Sequence, residues 1–489
     1  MNFRQRLLPI CILLILLYFT FFSHLTKQPL RLWDETRLAF NAYEMSIDRD
    51  MIVTKYDHKP DMWNLKPPLL VWCQSILMKI FGPYELAVRL PSAICGFLVS
   101  IMVFIFSWKY FNRFWLGFIA AVIIPTCRGY MDAHGARSGD YDSMLTFFTV
   151  FYSLCFFLFF NKGKWKYLYA SFLGLTLAVM TKGVAGLLFI PAIIIAAFYF
   201  KKVKTIITSR HFYFSLLFFL VIVCGYYLLR EHYNPGYWQC VVDNELGGRY
   251  LKTIEGHEGG FWTYFENIHL WHFAYWALCI PCGIITGIFD TDKNFRRFIW
   301  YITGIVLLFL LILSISETKI EWYIYPIVPL LSLLIATFIY YVFTLFEKIE
   351  ISGILKYKIL PFVFLVFVIY RPYREVFMVT YLAPEKEWDW EKYRMSYYLR
   401  DIAKGKILLN EPLNIVFDGI AFHLDYYVML ANRNGKKVFM RPKEDLGNGE
   451  LVMCSQMDLD RYLIEHYNLE KIEQFKYLVI YRVTGRKVI

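Results

Sequence analysis

The chain has 489 residues, 58% of them hydrophobic and 20% aromatic, with only 19% charged and a mean hydropathy of +0.42. This balance excludes an ordinary soluble globular domain and a disordered chain, since both need far more polar surface. A net charge of +12 would suit a nucleic-acid binder, but the basic residues are distributed as in a membrane protein, and no nucleic-acid partner is expected.

The first apolar run, "LLPICILLILLYFTFF" at 7 to 22, follows Arg4 and Arg6 and has no small-residue cleavage site behind it, which predicts a retained anchor. A hydrocarbon core of about 30 Å needs about 20 apolar residues per helix. By that measure spans are predicted near 7–26, 87–108, 114–127, 143–160, 167–180, 184–200, 212–229, 268–289, 298–315, 322–346 and 357–371, eleven in all. With the N-terminus in the cytoplasm, Lys109, Arg113, Lys162 to Lys166, Lys201 to Arg210, Lys293 to Arg297 and Lys348 to Lys358 all fall inside. The acids on that side are Asp290, Asp292, Glu347 and Glu350, so the excess of Lys and Arg fixes the orientation. Loops 27–86, 128–142, 181–183, 230–267 and 316–321, and the tail from 373, are then extracytoplasmic.

In the first outer loop, "LWDETRLAF" at 32 to 40 sets Asp34 beside Glu35. Leu38, Ala42 and Met45 recur at helical spacing, with Arg37, Asn41, Glu44 and Asp48 on the polar side, which predicts an amphipathic helix on the membrane surface. Asp34 is either a catalytic carboxylate or the N-cap of that helix, a role worth about 1 kcal/mol. Further on, Lys66 precedes Pro67 and Pro68, so an extended residue should lead into a second surface helix. A lysine at such a helix start suits an anion such as phosphate, although a lysine at the interface more often only snorkels.

Asp142 opens the fourth span in "GDYDSML", and Lys182 ends the fifth in "TKG"; each is also explained as a helix-end charge. Glu245, Arg249, Lys252 and His257 share one outer loop, and Lys319 and Tyr323 stand at the mouth of the tenth span. Each alone is weak evidence. Their common side is stronger, because carboxylates, cations and a tyrosine converge where an anionic substrate can be met. Walker, dinucleotide-binding and H-E-x-x-H patterns are missing from the sequence, so nucleotide-driven or zinc-protease chemistry has no support. Cys279 and Cys282 form a C-x-x-C with no second pair, and helix packing is the expected reason for them. The tail from 373 to 489 carries β-type runs "LNIVFDGI", "KKVFM" and "KYLVIYRV" between polar turns, predicting a small soluble mixed domain behind a membrane domain at 1–372.

The ordered motifs "WDETR", "LKPPL", "FGPYELAVRLPSA", "GDYDSML", "TKGVAGLLFIP" and "SETKIEWYIYPIVPLL" resemble the GT-C glycosyltransferases of the dolichyl-phosphate-mannose protein mannosyltransferase superfamily, above all the bacterial lipid A aminoarabinose transferases. The resemblance covers roughly residues 1 to 345. It implies an all-α polytopic fold in the bacterial inner membrane with the site on the periplasmic side, and with the α/β tail read above the expectation is a monomer of that fold carrying a small C-terminal α/β domain. It also implies an inverting transfer of sugar from a polyprenyl-phosphate donor to a glycolipid acceptor, or to protein. Asp34, with Glu35, matches the catalytic acidic position. Lys66 and Lys182 match donor-phosphate contacts that Arg249 would join, Asp142 a second acidic position, and Tyr323 a tyrosine at the pocket mouth; Glu245 and Lys319 complete the candidate set. Two positions associated with a divalent metal in that family are Leu65 and Leu246 here, and Leu38 replaces a tyrosine after "DETR". No metal ligand is assigned, and no cofactor is expected with certainty. A flippase for lipid-linked sugars is the alternative of another class, but the charges lie at helix ends on one side rather than paired near the midplane.

Overall fold

The computed structural model describes residues 3–248, 256–349, 359–475 and 477–487. The chain groups into two units: residues 1–24, 41–82 and 87–382 in the first, and 25–40, 83–86 and 383–489 in the second.

The first unit is helical. Six helices are long and apolar enough to cross a membrane: Glu85–Phe111, Asp142–Lys162, Trp165–Leu187, Arg210–Tyr233, Lys293–Ile315 and Glu321–Glu347. Shorter apolar helices cover Arg6–Phe21, Leu69–Phe81, Phe114–Thr126, Ile190–Tyr199 and Cys279–Ile288. Burial sorts them by role: the most apolar stretch of Asp142–Lys162 is 78% buried, whereas that of Arg210–Tyr233 is 17% buried and presents its Leu and Phe side chains outward, as a lipid-facing helix must.

The run expected to span 268–289 is broken. A single wide turn at Ile268–His272 and irregular backbone precede the helix Cys279–Ile288. The C-x-x-C sits in that helix as packing surface: a Cβ on Gly283 would stand 1.8 Å from the Leu334 carbonyl oxygen, so the two helices meet backbone to backbone. Two of the acids expected at the cytoplasmic ends have structural partners, while Glu350 lies outside the described residues. Asp290 takes both arms of Arg113 at 2.7 Å, and Asp292 caps the helix Lys293–Ile315 by accepting from the Asn294 amide at 2.8 Å.

The two predicted surface helices form at Asp34–Asp48 and Leu69–Phe81, the latter with Pro68 as the residue before its first turn. Between them lies a short antiparallel hairpin, β1 (Lys55–Tyr56) and β2 (Lys59–Pro60).

The second unit is a five-stranded sheet with helices Trp390–Ala403, Phe422–Arg433 and Met457–His466. Its strands are β3 (Leu413–Ile415), β4 (Val438–Met440), β5 (Leu451–Cys454), β6 (Tyr467–Phe475) and β7 (Leu478–Arg486) in the order β4-β3-β5-β7-β6. β3 runs parallel to β4 and β5, while β7 is antiparallel to β5 and β6. Its core holds Val416, Val452, Cys454, Leu459, Leu463 and Tyr481. The start of the helix Glu85–Phe111 joins it: Glu85 is fully buried, accepts from Tyr427 Oη at 2.7 Å and Lys404 at 3.0 Å, and is ion-paired with Arg400 at 3.6 Å.

Candidate active site

In the first unit, polar side chains gather where several helices end. The helix Trp165–Lys182 stops because Gly183 takes a left-handed backbone (φ 57°), and Lys182 is thereby its last residue. Its ammonium meets both oxygens of Asp142, the first residue of Asp142–Lys162, at 2.6 Å each. Both groups are buried, and the Tyr323 ring centroid lies 5.5 Å from the same ammonium. Two helix-end charges that each had a structural explanation in the sequence are thus one buried ion pair.

Asp140 stands two residues before Asp142 and is bound by the His134 imidazole, which stacks on Trp322 with ring centroids 3.7 Å apart. Burial pushes the Asp140 carboxyl up, but His134, Lys182 and the Tyr141 amide together outweigh burial and hold it down at about 2. His134 itself has a left-handed backbone (φ 58°), a strained conformation for a residue with a Cβ. The loop carrying these groups is fixed from several sides. Tyr325 Oη donates to the carbonyls of Gly129 and Ala133 at 2.6 and 3.2 Å, and Arg137 donates to Thr20, Ser23 and Thr380 at 2.8, 2.6 and 3.1 Å.

Lys66 joins the same cluster. Its ammonium is 5.7 Å from the Tyr141 ring centroid and 3.5 Å from Glu245. Tyr141 in turn donates to Asn64 at 2.9 Å, Asn64 to Asn41 at 2.8 Å, and Asn41 to Asp61 at 2.9 Å. Arg230, fully buried, pins that stretch by donating to the carbonyls of Ile52 and Asp61 at 3.0 and 3.3 Å. Leu65 is buried with Tyr237 and Val241 and offers no ligand atom at a position where the resemblance implies a metal.

Lys319 is turned elsewhere. Its ammonium donates to the carbonyls of Leu313 at 3.1 Å, Ser314 at 2.9 Å and Ser316, at the C-terminal end of Lys293–Ile315, and burial lowers its pKa. In the second unit Asp34 is the first residue of its helix, one position inside the cap for which it was also considered. The residue before it, Trp33, has a left-handed backbone (φ 70°) and packs edge-on against Phe422. Glu35 is buried and accepts from the Arg31 amide at 2.7 Å, which gives it a local structural role. Arg249 and Lys252 lie outside the described residues.

The structure therefore brings together Lys66, Asp142, Lys182, Glu245 and Tyr323. Sequence reading missed His134, Trp322, Arg230 and the Asn41–Asp61–Asn64 network. The one available signal was a histidine inside the glycine-rich "DAHGARSGDYD".

Residues 65–227 match the dolichyl-phosphate-mannose-protein mannosyltransferase family, a stretch that holds Lys66, Asp142 and Lys182. The fold is of the GT-C type. ArnT from Cupriavidus metallidurans, solved bound to undecaprenyl phosphate, superposes with a TM-score of 0.65 at 17% identity over 98% of both chains. The oligosaccharyltransferase of Archaeoglobus fulgidus superposes at 0.55 and 12% identity, over 88% of this chain and 64% of that one. In sequence, the chain is similar to undecaprenyl phosphate-alpha-4-amino-4-deoxy-L-arabinose arabinosyl transferases. It is 24% identical to the Aeromonas hydrophila protein over 65% of this chain and 58% of that one, and 25% identical to the Yersinia enterocolitica protein over 65% and 56%. The matched stretch thus spans little more than half the length of these relatives. The resemblance read from the motifs is met by both comparisons.

Proposed function

We propose that the chain is an inverting glycosyltransferase that moves a sugar from a polyprenyl-phosphate carrier to an extracytoplasmic acceptor, lipid A or another envelope glycolipid. The observation that carries this reading is the buried Asp142–Lys182 pair, with Lys66 one tyrosine away inside the same matched stretch and Tyr323 packed against it from beyond that stretch. The relatives named for an undecaprenyl phosphate sugar add support.

An ammonium has three N–H groups, and Asp142 engages two of those of Lys182. The third can meet a phosphate oxygen, and Lys66 a second one. As the acceptor oxygen attacks the anomeric carbon, the glycosidic C–O bond breaks and the polyprenyl phosphate leaves with its charge neutralised by these lysines. Asp34 accepts the acceptor's proton where that group is a hydroxyl, and orients it where it is an ionised phosphate. Glu35 holds the turn in which Asp34 sits, Glu245 pairs with Lys66 until the donor phosphate displaces it, Tyr323 covers Lys182, Lys319 fixes the chain entering the pocket mouth, and Arg249 joins the phosphate contacts.

In this reading eleven spans cross the bacterial inner membrane, residues 1–372 form the transferase domain of a monomer with its site at the periplasmic leaflet, and 373–489 form a soluble domain on that side. The family description over residues 65–227 favours a second reading, transfer to Ser or Thr of secreted protein. The test is purified protein in lipid nanodiscs with a labelled undecaprenyl-phosphate sugar and either lipid A or a Ser/Thr peptide. Labelled lipid A that Asp34→Asn abolishes is expected; labelled peptide alone selects the second reading. Carrier that crosses the bilayer with its sugar still attached, in wild type and variant alike, overturns both.

A further inference from the structure

A second cleft lies in the first unit, lined by none of the residues of the cluster around Lys182. The helix Leu360–Phe377 and the segment around Tyr275 to Cys279 enclose a cleft of about 930 Å³. Its wall is apolar over most of its length, with Trp276, Phe362, Val363, Val366 and Phe367 lining it, and Phe367 is 80% exposed. From Val363 to Pro372 the helix rises roughly 14 Å, about half a hydrocarbon core. An apolar cleft of that depth on a membrane helix has the dimensions of one leaflet's acyl chain.

One end of the cleft is charged. Arg371 lines it and is 76% exposed. Arg128 and Arg371 both point to Glu375, at 2.5 and 3.8 Å, and both guanidiniums lie over Tyr275, at 5.6 and 5.3 Å from its ring centroid. Tyr275 Oη also donates to Glu375, so the carboxylate is held in place by two donors, Tyr275 and Arg128, with the Arg371 charge farther off. Two guanidiniums against one carboxylate leave a surplus positive charge beside the mouth of an apolar cleft. A zwitterionic headgroup gains little from that surplus, whereas a phosphate carrying net negative charge is matched by it.

We infer that this cleft binds an anionic phospholipid of the surrounding bilayer, with an acyl chain between Tyr275–Cys279 and Leu360–Phe377 and its phosphate on Arg371 and Arg128. The lipid is neither donor nor acceptor in the proposed reaction, and the inference does not rest on that reaction. It gives the broken stretch before Cys279 a partner: where protein helix is interrupted, lipid completes the packing against Trp276 and Phe362.

The test is native mass spectrometry of the full-length, delipidated protein, titrated with equal amounts of phosphatidylglycerol and phosphatidylcholine of identical chains. Phosphatidylglycerol should be retained about fivefold over phosphatidylcholine. Arg371→Gln should bring that preference close to parity, while Arg374→Gln, one residue before Glu375 but outside the cleft lining, should leave it intact. Val366→Trp, which fills the cleft at an exposed position, should cut retention of both lipids. Equal retention of the two lipids by the wild type, loss of preference in both arginine variants alike, or unchanged retention in Val366→Trp would each overturn the inference.

Discussion

Asp142 and Glu85 make an instructive pair. Each is the first residue of a long helix, each is buried, and each is met by a lysine. Glu85 takes a tyrosine hydroxyl, an ammonium and a guanidinium, spread over two helices of the second unit, so one carboxylate is bound by more donors than its charge requires. Among the described residues, Asp142 hydrogen-bonds one cation, Lys182, and that cation also acts on a second acid, Asp140. A carboxylate surrounded by donors is a cross-link. A lysine shared between two acids and an aromatic ring is poised to meet a further anion. Nothing in the immediate sequence of either acid separates the two cases.

The comparison breaks most sharply at Lys182. Lys182→Met leaves Asp142 buried without its counter-charge, which should cost about 3–5 kcal/mol and abolish sugar transfer. Adding Asp142→Asn should restore most of the thermal stability but none of the transfer, as read by unfolding scans and product formation on the same preparations. Transfer restored by the double variant would reduce the pair to a structural device. Glu85→Gln should cost about 3 kcal/mol, because Lys404 and Arg400 lose their shared partner, yet turnover per folded molecule should stay at the wild-type value. A turnover loss larger than the folded fraction explains would erase the distinction drawn above.

The same contrast explains what the sequence disclosed. Apolar runs located every long helix, because about 20 consecutive apolar residues carry their own signal. The run at 268–289 misled, since apolarity does not reveal a backbone broken at His272, where Phe273 leaves helical geometry. In the tail, β3, β4 and β7 fall in the apolar runs, whereas β6, "YNLEKIEQF", is an edge strand with mostly exposed side chains and reads as polar. In the candidate site, motif order found Lys66, Asp142 and Lys182. His134 and the Asn41–Asp61–Asn64 network were not found, because the Trp322 ring that stacks on His134 and the Tyr141 hydroxyl that reaches Asn64 are distant in sequence and no local period encodes them.

The second unit has its own pH signature. Burial holds the His423 imidazole down at about 4, while its Nε2 meets the Lys392 carbonyl at 3.1 Å. Unfolded chain binds that proton near pH 6.5, so stability is full above 6.5 and falls as pH drops toward 4. Between pH 7 and pH 5 the loss should be roughly 2 kcal/mol. Hydrogen exchange in residues 383–489 of the whole protein should accelerate over that window, and His423→Asn should flatten the response. Equal acceleration in the variant would move the cause to another group.

The mildest test is at Lys66, which is partly exposed and 3.5 Å from Glu245, a long separation for an ion pair. Such a pair contributes little to stability, so Lys66→Ala should shift thermal unfolding by less than about 1 kcal/mol. Its proposed partner is a phosphate that arrives with the donor. The loss of one charge-assisted contact there should raise the donor KM about tenfold, with kcat reduced less, because the ground-state donor already carries the phosphate charge. Glu245→Gln should move KM the opposite way or not at all, since it frees Lys66 from a competing carboxylate. A KM that rises equally in both variants would mean that Lys66 and Glu245 act on the donor as a pair, and the distinction between a structural acid and a phosphate-binding lysine would fail at this end of the site.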